Sequence, residues 1–361
     1  QVDKVYSAAL ARQDRRNEHP SMNTPNDMIA IAISNPGGPE VLHTRREPVP
    51  VPGAGEVLIR VGAAGVNGPD IAQRRGQYAP PPGASPLPGL EVAGEIAALG
   101  EGVVEFETGQ AVMALCNGGV YAEYVVVPAG QVLPAPNGWT LAEAAALPET
   151  WFTVTQTLVM RAGLEAGMTV LIHGASGGIG GAAIQIAGII GAKPIAVVSD
   201  DAKADYCRAL GAIAVINRKT EDLVARVKEL TGGKGVDRVV DIVGGDMART
   251  NVEISARGGH IVQISTLEGG NADVPLRQMM AKDLTLSGST LRPQTGATKA
   301  AIAQRIRTDF LPALSAPGFI KPRVTPFPLT QASDAHRLME SRNHQGKLVL
   351  LTEFGAEDKT S

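Results

Sequence analysis

Cysteine is nearly absent: Cys116 and Cys207 are the only two in 361 residues, too few for a disulfide framework. No C-x-x-C or H-x-x-H pair occurs either, so the usual short metal-ligand spacings are missing. Long hydrophobic runs are missing too. Lys193 and Pro194 break the longest candidate before it reaches the ~18 residues a membrane helix needs. Charge of one sign is not in excess: 33 Lys and Arg stand against 36 Asp and Glu, a net charge of -3. That balance offers no electrostatic footprint for nucleic acid or an anionic membrane. Residues 1–27 are polar and lack the apolar core of a signal peptide, and they are expected to form a flexible N-terminal extension. These absences point to a cytoplasmic enzyme that acts on small molecules.

What is present is length enough for two domains and 42 glycines, which imply many tight turns. From Met28 to about Pro136, short apolar or alternating runs such as "MIAIAI", "EVLIRVGAAGVN", "LEVAGEIAALG", "QAVMAL" and "YAEYVVVP" predict strands of a β-rich domain. The stretch "GQYAPPPGASPLPG" between them is too rich in Pro and Gly for regular structure. Helical spacing follows from residue 141, with Thr140 as N-cap and Pro148 separating two helices. After Gly167 the pattern becomes strand, helix, strand, repeated until "LTLSGST" supplies a sixth strand. Strands alternating with helices predict an α/β, doubly wound parallel sheet. One helix is expected near 297–314, and "GKLVLLTE" reads as a strand returning to the first domain.

The most informative stretch is "VLIHGASGGIGGAAIQ", in which a strand runs through Ser176, Gly177, Gly178, Ile179 and Gly180 straight into a helix. Small residues there let helix amides approach a pyrophosphate, whose charge suits a helix N-terminus. Enzymes that use NAD place an acidic residue about 20 positions further on, where this chain has Val198. Ser199, Lys203 and Arg218 stand at the ends of the second and third strands, where a 2′-phosphate would sit. Asp200 and Asp201 oppose that reading by adding negative charge. The balance favours NADPH over NADH.

"GVNGPDIAQRRGQY", "LPGLEVAGEI", "ALPETWFT", "GASGGIG" and "GKLVL", in this order, resemble the zinc-free quinone oxidoreductase (zeta-crystallin-like) branch of the medium-chain dehydrogenase/reductase superfamily. Within that branch the similarity is greatest to the stress-inducible NADPH:quinone reductases. The resemblance implies a Rossmann domain inserted into a GroES-like catalytic domain. Boundaries at 28–148, 149–290 and 291–361 follow, the last segment returning to the catalytic domain. It also implies that Thr153, Val243, Ile264, Ser265, Leu291, Arg292 and Lys347 line the cofactor, with Asn67 and Tyr78 near the nicotinamide. Zinc-dependent relatives have a Cys where Asn67 stands, a His where Leu90 stands and a further ligand where Glu149 stands. Neither Asn67 nor Leu90 suits zinc, so a metal-free site is expected. Two departures from the family pattern are Gly177, where some relatives carry Ser, and Arg218, where many use Tyr.

Hydride reduction of a quinone leaves an oxyanion that needs hydrogen-bond donors. Tyr78 is the first candidate and Asn67 the second, against the plainer roles of loop anchor and structural turn. Reduction of α,β-unsaturated carbonyls would use the same groups. A crystallin-like protein that binds NADPH without turnover is the alternative from another class. The apolar "DLTLSGST" edge suggests a homodimer or a dimer of dimers.

Overall fold

The computed structural model of the protein describes residues 24–358. Of the extension expected over 1–27, residues 1–23 lie outside the described residues, and Asp27 already begins a strand. The first unit opens with a hairpin of β1 (Asp27–Ile33) and β2 (Leu42–Pro48). It continues through β3 (Glu56–Val66), β4 (Glu91–Leu99), β5 (Ala111–Leu115), β6 (Tyr124–Pro128) and β7 (Val132–Pro134). Nearly every residue of β3 and β4 is buried, because both strands are covered on both faces. Between them lie the short helix Gly68–Arg74 and the Pro-rich loop.

The second unit contains β8 (Thr169–Ile172), β9 (Lys193–Val198), β10 (Ala214–Asn217), β11 (Val236–Asp241), β12 (Ser255–Gln263) and β13 (Thr285–Gly288). Their spatial order is β10-β9-β8-β11-β12-β13, and every neighbouring pair is parallel. The order reverses between β8 and β11, which opens a crevice at the carboxyl ends of those strands. This is the doubly wound sheet that the alternating pattern predicts. The chain then returns: β14 (Val324–Pro328) pairs with β15 (Lys347–Leu351), and β15 runs antiparallel to β3 with Leu348 opposite Val66. One apolar core joins the two units, and Trp151 packs edge-on against Phe310 within it at 5.9 Å.

Several elements differ from the sequence expectation for physical reasons. β2 escapes notice because "LHTRREP" is charged and mostly exposed, with its pairing to β1 as its support. The helix expected near 297–314 is two, Gly296–Asp309 and Leu311–Leu314, and Pro312 stands in the first turn of the second. Thr140 does cap its helix, accepting from the Glu143 backbone N–H at 3.1 Å while the Glu143 carboxylate reaches back to Thr140.

Candidate active site

The crevice begins where β8 leaves the sheet. Gly174 turns the chain at a φ of 59°, and the helix Gly178–Ile190 starts four residues on with Gly177 as N-cap. No side chain among the described residues caps this helix, which leaves its first-turn amides available to an anion. Two glycines are required by close approach. A Cβ on Gly180 would stand 2.4–2.5 Å from the Ala175 backbone, and one on Gly178 would stand 2.7 Å from Lys347 Cδ and 3.0 Å from Thr150 Cγ2. Thr153 lies one turn beyond Thr150 on the same helix face. The Gly346 N–H donates to the Ser176 carbonyl at 3.0 Å, which closes the returning segment onto the turn. The residues present therefore fit a dinucleotide pyrophosphate.

At the far end of the crevice, Lys203 Nζ lies 3.2 Å from Ser199 Oγ and 3.1 Å from Asp200 Oδ2. Asp200 caps the helix Asp201–Ala209, its Oδ1 accepting from the Lys203 N–H at 3.0 Å. Its carboxyl is held below the usual range, first by that backbone bond and then by its side-chain partners. Arg218 donates its backbone N–H to Val198 O at 3.0 Å, while its half-exposed guanidinium comes only within 3.9 Å of Glu268. Val243 sits in the turn after β11, where Asp241 Oδ1 accepts from the N–H groups of Val243 and Gly244. The Ile264 N–H donates to Asp241 O, so Ile264 and Ser265 follow the neighbouring strand at the same edge. His173 is buried against Asn251, which also donates to Asp241, and it braces this turn from beneath.

The near end holds a buried charge cluster. Lys347 Nζ donates to Asn67 Oδ1 and pairs with Glu91 Oε1, each at 2.5 Å, and Asn67 Nδ2 donates to the same Glu91 oxygen at 2.8 Å. The other Glu91 oxygen accepts from the Glu149 backbone N–H at 2.8 Å. Asp70 accepts from the N–H groups of Asn67 and Gly89, and its carboxyl is pushed up to about 7, chiefly by burial. Arg292 does not point free into the crevice. Its guanidinium donates to Asn117 O at 2.6 and 2.9 Å and lies 5.4 Å from the centre of the Tyr78 ring. Lys299, buried beside it, donates to Asn117 Oδ1 and Arg292 O. Leu291, the residue before Arg292, is buried in the apolar core that joins the two units. Tyr78 is half-buried, and its phenol is raised by burial first and by Glu149 next.

Sequence reasoning missed Asn117 and Lys299, whose role is to hold Arg292 and through it the Tyr78 loop. It also treated Glu149 only as a lost metal position. Among the described residues no group of three or more His, Cys, Asp or Glu is placed to hold a metal ion. Cys116 and Cys207 are both buried, and burial pushes the Cys207 thiol up to about 12, which removes it as a nucleophile. No helix among the described residues is long and apolar enough to cross a membrane.

A β-rich domain whose charged cluster closes onto the glycine turn of a doubly wound sheet defines a two-domain dehydrogenase or reductase. Residues 53–137 match the alcohol dehydrogenase GroES-like domain, and residues 178–305 match the zinc-binding dehydrogenase domain. The chain belongs to the quinone oxidoreductase family of the medium-chain dehydrogenase/reductase superfamily and is an oxidoreductase. The quinone oxidoreductase of Sus scrofa is 30% identical over 328 residues, which cover 90% of this chain and 98% of that protein. The Escherichia coli quinone oxidoreductase complexed with NADPH is 31% identical and superimposes with a TM-score of 0.75 over 90% of this chain and 99% of its own. The CurK enoyl reductase, 26% identical, superimposes with a TM-score of 0.79 over 91% of this chain and all of its own.

Proposed function

We propose that the protein is a zinc-independent, NADPH-dependent quinone reductase. The observation that carries this reading is the joining of two sites. An uncapped helix N-terminus that suits a pyrophosphate abuts Lys347, and Lys347 holds Asn67 at the start of the helix that leads into the Tyr78 loop. When bound, the cofactor supplies the hydride. Ser176, Gly177, Gly178, Ile179 and Gly180 would hold the pyrophosphate, and Ser199, Lys203 and Arg218 the 2′-phosphate. Thr153, Val243, Ile264, Ser265, Leu291 and Lys347 would line the nicotinamide, with Arg292 steadying Tyr78.

Tyr78 is the donor to the developing oxyanion. Its raised pKa keeps the phenol protonated, so it can donate a hydrogen bond without giving up the proton. Asn67 keeps one amide hydrogen after serving Glu91 and is the second donor. The NADPH-bound relative supports the cofactor assignment. The enoyl reductase neighbour supports a second reading, reduction of α,β-unsaturated carbonyls by the same groups. We also propose a homodimer formed along β13.

NADPH oxidation against a panel of quinones and enones tests the function, with and without a chelator. The expected result is rapid turnover with quinones, weaker turnover with enones and no effect of the chelator. Faster turnover with enones would transfer the assignment to the second reading. Loss of activity with the chelator, together with one zinc per chain, would overturn the metal-free site.

A further inference from the structure

Four buried polar side chains link the protein surface to Asn67. Asp70, Arg74, Tyr121 and His336 are each fully buried, yet they come from three separate parts of the chain. Asp70 and Arg74 stand one turn apart on the helix Gly68–Arg74. Tyr121 lies in the segment before β6, and His336 on the helix Ala332–Ser341. Arg74 Nη1 is 3.2 Å from His336 Nδ1, His336 Nε2 is 3.0 Å from Tyr121 Oη, and Tyr121 Oη is 3.4 Å from Asp70 Oδ2. At the outer end, Glu340 accepts from Arg74 at 2.6 and 3.3 Å, one turn beyond His336 on the same helix. The Tyr121 and His336 rings meet edge to face, with 5.7 Å between their centres.

Arg74 sets the direction of the chain. A guanidinium only donates, so His336 Nδ1 accepts and the ring proton sits on Nε2. Nε2 then donates to the Tyr121 oxygen, and the Tyr121 hydroxyl donates to Asp70 Oδ2. Burial first, and Arg74 next, push the His336 imidazole down to about 3, in keeping with a neutral ring. Asp70 receives two more donors: the Asn67 N–H reaches Oδ2 at 2.8 Å and the Gly89 N–H reaches Oδ1 at 3.1 Å. One carboxyl group thus ties the start of the helix Gly68–Arg74 to the start of β4. Those two segments also orient the Asn67 amide, because Glu91, two residues after Gly89, accepts from Asn67 Nδ2 at 2.8 Å. Tyr121 packs directly on this junction, where a Cβ on Gly89 would stand 2.6 Å from Tyr121 Cδ1.

We propose that Tyr121 and His336 are positioning residues for the reduction, which act through Asp70 to hold Asn67, the second donor, toward the reacting oxygen. This rests on the reductase reading above. Asn67 stabilises the growing negative charge only if its remaining amide hydrogen points at that oxygen. A misplacement of about 1 Å can cost on the order of a hundredfold in rate. Tyr121→Phe removes a single oxygen and keeps the ring. It leaves His336 Nε2–H without its acceptor and Asp70 without one of its three donors.

The test is a double-mutant cycle between Tyr121→Phe and Asn67→Ala, read by steady-state kinetics with NADPH and a quinone. Tyr121→Phe should lower kcat about tenfold while the KM for NADPH moves less than about twofold. Added to Asn67→Ala, it should cost less than about twofold more, because the group it positions is already gone. His336→Leu severs the chain at another link and should behave alike; it serves in the cycle where Tyr121→Phe does not fold. In the wild type, imidazole 15N shifts should show His336 neutral with its proton on Nε2 at neutral pH. A charged ring, or a proton on Nδ1, overturns the direction of the chain and the proposal with it. Equal losses of kcat in both Asn67 backgrounds overturn the positioning role, as does a variant that melts earlier yet keeps the wild-type kcat. An Asn67→Ala enzyme at the wild-type rate overturns the Asn67 donor and its support together. A wild type that turns over neither quinones nor enones overturns the reductase reading, whereas additive losses beside an active wild type overturn the positioning role alone.

Discussion

At Asp200 two demands compete for one carboxylate. An acidic side chain near the end of β9 would repel a 2′-phosphate or hold the ribose of NADH. In the fold, Asp200 caps the following helix and pairs with Lys203, so its oxygens are already occupied. Arg218, by contrast, makes only a loose 3.9 Å ion pair with Glu268 on the half-exposed surface, and its guanidinium can turn toward a phosphate. A charge-assisted hydrogen bond to phosphate contributes on the order of 1.5–3 kcal/mol. Arg218→Ala should therefore weaken NADPH binding at least about tenfold and leave NADH nearly unchanged. Dissociation constants for both cofactors, measured by fluorescence titration, check this; equal losses would show that Arg218 does not read the phosphate. The place of Ser199, Lys203 and Arg218 just beyond the ends of β9 and β10 was legible from their distance past the glycine turn.

The helix Gly178–Ile190 offers a contrast between two of its own glycines. Gly180 lies where the helix passes closest to the chain leaving β8, with Ala175 backbone atoms 2.4–2.5 Å from any added Cβ. Gly188, on the same helix, has nothing within 4 Å of that position. Gly180→Ala should destabilise the fold by about 1–3 kcal/mol through overpacking, and it should also impair cofactor binding by moving the helix amides. Gly188→Ala should stabilise by roughly 0.5–1 kcal/mol, since alanine loses less backbone entropy in a helix. Thermal melts of the two variants should move in opposite directions. The strands and helices of the doubly wound unit were legible because their apolar periodicity is strong and local. β2 was not, since it is charged and mostly exposed and rests on its pairing with β1, and neither was the helix Ala332–Ser341, whose apolar side packs on strands far away in the chain.

Viewed whole, the six-stranded sheet ends at β13, whose backbone edge has no partner strand among the described residues. Leu286 on that strand is exposed, and Leu276 and Met280 on the preceding helix are exposed still more, at 67% and 77%. An apolar, unpaired edge of this kind favours association through a two-fold axis. Light scattering at micromolar concentration should report a dimer or a tetramer of even symmetry. Leu286→Lys, placed on the exposed edge, should shift it toward the monomer. A wild-type monomer would count against the homodimer.

Some properties of this protein follow from the sequence alone. The glycine turn and the alternation of strand and helix are each written within short stretches. They are legible because steric limits on glycine and hydrophobic periodicity act locally. The tertiary structure alone decided how charge is arranged. It carries Lys347 back across the chain to Asn67 and Glu91 and engages Asp70 with two backbone N–H groups. The physical reason is that a group's ionisation depends on how much water is removed from it and which charges stand nearby. Both are set by residues from distant parts of the chain, and no local pattern encodes them.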